Sequence, residues 1–112
     1  LLVKAEGVAL DGTGSLIITD GGANQVRRIG LNSVTETIAG NGAREDTGDG
    51  GQARSAGLAR PTGAAVDANG NLYIADTDNH RVRRITPDGI ISTFAGNGNA
   101  GFSGDGGLAV QA

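Results

Sequence analysis

The chain has 112 residues, a net charge of −3, no cysteine, and 21 glycines against three aromatic side chains, Tyr73, Phe94 and Phe102. The missing cysteine excludes disulfides and thiolate metal sites, and no apolar run approaches the ~20 residues of a membrane span. The acidic balance argues against a general nucleic-acid binder, which carries a basic surplus.

The length allows one small domain with a modest core. Glycine at this level, without collagen periodicity, points to many tight turns. Nothing at the N-terminus reads as a signal peptide, and the chain opens on Leu1, as expected of a mature fragment or an excised piece.

In chain order, strands are predicted at residues 7–11, 15–20, 25–30 and 34–39, followed by a glycine-rich connection over 40–62. The plan then recurs at 63–67, 71–76, 80–86 and 90–95, followed by a second connection over 96–112. The turn signals sit between the strands. Asn69-Gly70 ends the first strand of the second set. In Thr86-Pro87-Asp88-Gly89, proline fixes φ at the second position and glycine relaxes the exit. No stretch carries a helical period.

In 72–75, Leu72 and Ile74 face one way and Tyr73 and Ala75 the other. Both faces are apolar, so this strand should be buried on both sides. Leu16, Ile18, Leu72 and Ile74 are therefore expected to be almost fully buried, with Tyr73 packed between sheets.

The two sets are one sequence written twice at a period of 56. Val26-Arg27-Arg28-Ile29 returns as Val82-Arg83-Arg84-Ile85, and Gly48-Asp49-Gly50-Gly51 as Gly104-Asp105-Gly106-Gly107. Residues 1–56 and 57–112 thus form two units, each with its connecting loop. Such a period marks repeats that cannot bury their apolar faces alone. Four short antiparallel strands and a long return loop make a propeller blade. The fold class expected is all-β: two four-stranded antiparallel blades that complete a six-bladed β-propeller by oligomerisation.

The run from Arg60-Pro-Thr-Gly through Asn69-Gly-Asn-Leu-Tyr-Ile-Ala-Asp76 to His80-Arg-Val-Arg-Arg-Ile85 resembles the NHL repeat. The tripeptide naming that family is matched in part, as Asn79-His80 with the apolar member at Val82. Phe102-Ser-Gly-Asp-Gly-Gly107 resembles the linker of the long bacterial and teneurin-like subclass. The resemblance covers both units; in the first, Gly21-Gly-Ala-Asn24 stands for Thr77-Asp-Asn-His80. It implies a six-bladed propeller serving mostly as a binding platform, with a few enzymes among the relatives, and it favours an extracellular or periplasmic setting.

In such a blade, the loops at 20–25 and 76–81 and both long connections open on one rim. The turns at 11–15, 67–71 and 86–89 open on the other. Binding residues favour polar loops on a rigid scaffold. Asp20, Asn24, Asp76, Asp78, Asn79 and His80 are the candidates for interaction on that rim.

The motifs that imitate chemistry have plainer readings. Gly96-Asn-Gly-Asn-Ala-Gly101 matches GxGxxG, but Phe-Ser-Gly-Asp-Gly-Gly follows it and cannot open the helix a pyrophosphate needs. Asp46-Thr47-Gly48 spells the aspartic-protease triplet but follows Ala-Arg-Glu rather than an apolar strand, and its repeat partner has no carboxylate. Asp67-Ala-Asn-Gly-Asn71 and Asp76-Thr-Asp-Asn79 offer oxygens to calcium, yet neither continues into a twelve-residue loop, and such residues cap their own turns.

His80, the only histidine, has no serine elbow or second histidine for triad or zinc chemistry. No catalytic residue, no cofactor and no resident metal is expected. Arg81, Arg83 and Arg84, with Gln25, Arg27 and Arg28, form a basic stripe. It reads as solvated edge-strand charge, since few aromatics interleave to stack bases.

The expected partner is the chain itself, as a homotrimer in preference to a tetramer, with Ala112 of one copy near Leu1 of the next. A protein or small-ligand partner is expected on the loop rim, nucleic acid is disfavoured, and no membrane is expected. The rival is a fragment of a metal-dependent propeller enzyme of lyase or lactonase type. An RNA-binding platform is the third reading.

Overall fold

The computed structural model describes residues 5–32 and 34–96. The expected contact of Ala112 with a neighbouring Leu1 lies outside the described residues, as does most of the motif at 96–101.

The first sheet is β1 (Ala5–Leu10), β2 (Leu16–Asp20), β3 (Gln25–Ile29) and β4 (Thr35–Ala39). The second is β5 (Pro61–Val66), β6 (Leu72–Asp76), β7 (Arg81–Ile85) and β8 (Ile91–Ala95). Each is an antiparallel meander with its strands in sequence order. Register shifts fall at equivalent places, between Ala5 and Gly7 and between Pro61 and Gly63, and again after Val26 and after Val82. Two short 3-10 turns, Ala53–Ser55 and Thr77–Asn79, interrupt the connections.

Local chemistry explains the turns. Asp11 Oδ1 accepts from the Thr13 and Ser15 amides, and Asp67 Oδ1 from those of Asn69 and Asn71, so each aspartate closes its own hairpin. The Gly89 amide donates to Thr86 O across the proline turn.

The sheets stack with β1 against β5. Gly7 permits this approach, because a Cβ there would stand 2.6 Å from Thr62 O. The core between the sheets takes Ile17, Val26 and Ala39 from the first and Leu72, Ile74, Ile85 and Ile91 from the second. Ala53, Ala56 and Leu58 of the connection complete it.

Because successive strand residues alternate faces, the sheets do not use the same face. The first turns Ile17 toward its neighbour, whereas the second turns Leu72 and Ile74. Ile18, Leu72 and Ile74 are buried, but Leu16 is 38% exposed. The expectation for Leu16 is corrected: it lies on the outer face of the first sheet, which no second sheet covers among the described residues. Tyr73 is half-buried on the outward side of β6, edge-on to Phe94 at 4.9 Å, with its hydroxyl donating to Asp67.

The stripe of arginines also differs from its expected solvation. β3 and β7 are interior strands of their sheets, and Arg83 is completely buried. Arg28 pairs with Glu36, Arg81 pairs with Asp46, and Arg84 lies over the Phe94 ring.

Candidate functional site

The richest polar cluster forms where the loops at 20–25 and 76–80 meet the connection between the sheets. Its centre is Arg83, whose guanidinium carries five N–H donors in a fixed fork. Nη1 donates to Asp76 Oδ2 at 3.1 Å and to Gly57 O at 3.2 Å. Nη2 donates to Thr47 O at 2.8 Å and stands 2.9 Å from Asp49 Oδ1, and Nε donates to the same oxygen at 3.1 Å. Asp49 also accepts from Thr93 Oγ1. One buried cation thus ties β7, the end of β6 and the connection together.

Asp76 is buried beside it. Its Oδ1 accepts from the Ala59 amide at 2.7 Å and its Oδ2 from Asn79 Nδ2 at 2.9 Å. Burial pushes this carboxyl up, while the hydrogen bonds from Ala59, Asn79 and Arg83 pull it down.

The other rim candidates face the connection too. Asn79 donates to Glu45 O, and Asn24 Oδ1 accepts from the Arg60 amide. Asp78 pairs with Arg60 and with Arg44. Asn24 and His80 hold equivalent left-handed positions, φ 56° and 55°, and the His80 amide caps its 3-10 turn through Thr77 O. Asp20 is buried, 3.5 Å from Arg27 Nε. These six residues are therefore gathered on one rim: Asn24, Asp76, Asp78 and Asn79 hold the connection, His80 closes its own turn, and Asp20 pairs with Arg27.

Asp46 and Thr47 belong to the same cluster. Asp46 binds Arg81, and Thr47 Oγ1 accepts from the Gly57 amide. Gly48 beside them is constrained: its φ is +99°, and a Cβ would stand 2.5 Å from that of Ala56. Among the described residues, no three His, Asp or Glu side chains group together as metal ligands.

Sequence reasoning missed Arg83, Asp49 and Arg60. The repeat of Gly-Asp-Gly-Gly at 48–51 and 104–107 was the available signal, and in the first unit its aspartate, Asp49, pairs with Arg83.

The cluster carries a pH dependence. The Arg60 hydrogen bond holds Asp78 below the ordinary carboxylate value of 3.8, with Arg44 acting in the same sense. Asp67 and Asp11 are lowered as well, chiefly by hydrogen bonds from Asn71 and Thr13. A lowered carboxyl stabilises the fold above its unfolded value, and that contribution is lost as pH falls through the folded value. Asp76, raised, acts oppositely: its contribution is full below the unfolded value and is lost as pH rises through the folded one. The expected result is a melting temperature that drops once pH falls below about 4. Asp78→Asn should shrink that drop when melting is followed by circular dichroism, and an unchanged acid profile would contradict the assignment.

Two further surfaces frame the cluster. An open groove of about 930 Å³ runs between the sheets on the opposite rim, with Asp11, Arg28, Glu36, Arg54 and Asp88 among its walls. The outer face of the first sheet presents Val8 at 63% exposure and Leu10 at 65%, beside Leu16. Cross-strand pairing joins them to Ile18, Arg27 and Ile29 on that face. Their repeat equivalents Ala64, Val66, Leu72, Ile74, Arg83 and Ile85 all lie on the face turned toward the first sheet.

Two antiparallel meanders stacked around close inner strands, with a glycine-rich connection stapled between them, define a pair of β-propeller blades. The auxiliary nutrient binding protein of Bacteroides thetaiotaomicron is similar at TM-score 0.66 and 22% identity, over 87% of this chain and 26% of that one. Virginiamycin B lyase from Staphylococcus aureus is similar at TM-score 0.62 and 18% identity, over 87% of this chain and 28% of that one. At these identities the likeness concerns the fold alone.

The teneurin NHL domain family matches residues 41–105, and the chain belongs to that family. Teneurin-m of Drosophila melanogaster is 36% identical over 101 residues, 79% of this chain and 4% of that protein. Teneurin-3 of Mus musculus is 34% identical over 98 residues, 76% of this chain and 4% of that protein. The chain thus spans about 4% of the length of these curated relatives.

Proposed function

We propose that this NHL blade pair is a non-enzymatic assembly module: copies join blade to blade into a closed ring, whose loop-lined rim then serves as a binding platform. The observation that carries the reading is the uncovered apolar face at Val8, Leu10 and Leu16, set against the covered equivalents in the second blade. Contiguous apolar surface of this kind marks an interaction site.

The opposite end of the pair offers Ala65, Tyr73, Ala75 and Val82, which share the outward face of the second sheet. The two ends differ, so the contact is heterologous: one end of a copy meets the other end of the next, and such contacts close or run on. A six-bladed ring takes three copies. Light scattering is expected to give three times 11.1 kDa; a folded monomer would end the reading, and four copies would make the ring eight-bladed.

The enzyme alternative needs ligands or acids on the inner strands. β1 is AEGVAL and β5 is PTGAAV. Their one ionisable side chain, Glu6, lies 3.7 Å from Arg60. The RNA alternative needs free cations, whereas Arg28, Arg81 and Arg83 are each paired with a carboxylate.

A further inference from the structure

Resting on the assembly reading, we propose that Arg27 and Thr37 of one copy are the receptor for Asp105 of a second copy, which arrives on the loop Ser103-Gly-Asp-Gly-Gly107. The second blade supplies the template. There Asp49 sits between Arg83 and Thr93, with Thr47 O on the same guanidinium. The Gly50 amide donates to Ile91 O, and the Ile91 amide to Gly51 O, so the loop docks along the start of β8.

Every partner in that contact has an equivalent 56 residues away. Arg83 and Thr93 correspond to Arg27 and Thr37. Thr47 and Gly48-Asp49-Gly50-Gly51 correspond to Ser103 and Gly104-Asp105-Gly106-Gly107. Ala53 and Ala56, which the connection buries between the blades, return as Ala109 and Ala112.

The receptor is half made. Arg27 Nη2 donates to Gln25 Oε1 at 2.9 Å, and Nη1 reaches Thr37 Oγ1 at 3.5 Å. Its Nε is buried without a hydrogen-bond partner among the described residues, 3.5 Å from Asp20. Arg83 uses the equivalent Nε to hold Asp49. Arg27 also lies on the face that exposes Val8, Leu10 and Leu16, so an arriving blade would cover the apolar surface and deliver the carboxylate together. Within one chain the loop of 103–107 follows the second blade, whereas Arg27 stands in the first. A second copy brings them together in the heterologous contact, with the polarity already seen between the two blades of one chain.

The test is complementation between two variants of the full chain. Arg27→Ala and Asp105→Ala should each keep the strand signature in circular dichroism. Each alone should assemble at least about tenfold more weakly than the unaltered chain, the loss expected of a charge-assisted hydrogen bond. Mixing them restores one intact contact, Asp105 of the Arg27→Ala chain on Arg27 of the Asp105→Ala chain. The mixture should therefore yield a one-to-one pair by sedimentation, which neither variant forms alone. An unaltered chain that assembles while Asp105→Ala assembles equally well would overturn the receptor and leave the ring standing. Variants that stay apart on mixing would overturn it as well. An unaltered chain that remains a monomer would overturn both.

Discussion

Replacing Arg83 by methionine is expected to cost about 3–5 kcal/mol, the range for breaking a buried ion pair by removing one partner. The loss comes from what is left behind. Asp76 would be stranded in a buried site with its cation gone, and the carbonyls of Thr47 and Gly57 would lose their donor. Most of the packing of the arginine stem would survive in methionine, which separates the electrostatic part from the apolar one. Adding Asp76→Asn should recover at least about 1 kcal/mol, because the amide removes the stranded charge while its oxygen still accepts from the Ala59 amide. Urea titrations with an unchanged slope measure both steps. A single-variant loss under about 1 kcal/mol would mean that the guanidinium is solvated after all.

The second large effect is expected at Ile74. Its side chain is completely buried, among core residues drawn from both sheets and from the connection. Ile74→Ala removes three heavy atoms from a site whose walls are strands held by ladder hydrogen bonds, so the void cannot collapse. The expected loss is about 2–5 kcal/mol. A value below about half a kcal/mol, the level of an ordinary surface change, would show that β6 is not sandwiched.

These residues differ in how legible they were. Ile74 could be read from the chain, because alternation and an apolar run on both faces already demand a sandwiched strand. Arg83 could not, because His80-Arg-Val-Arg-Arg-Ile has the alternating charge of a solvated strand. Its burial depends on a loop that begins more than thirty residues earlier. The rim candidates were legible as a group, since strand polarity alone sends their loops to one edge. Their engagement with Arg44, Glu45, Arg60 and Arg83 was not, because it depends on how the connection crosses between the blades.

By itself the sequence determined the period, the eight strands, their order and the turns. These are local matters: a two-residue alternation, an aspartate that caps its own hairpin, a glycine where φ is positive. Only the tertiary structure decided which apolar face of each sheet is covered. Leu16 and Leu72 stand at the same repeat position in nearly the same local context, yet one is 38% exposed and the other 7%. No local pattern separates them. Stacking does, because a blade has two sides and, among the described residues, the pair leaves one side of each blade without a neighbour.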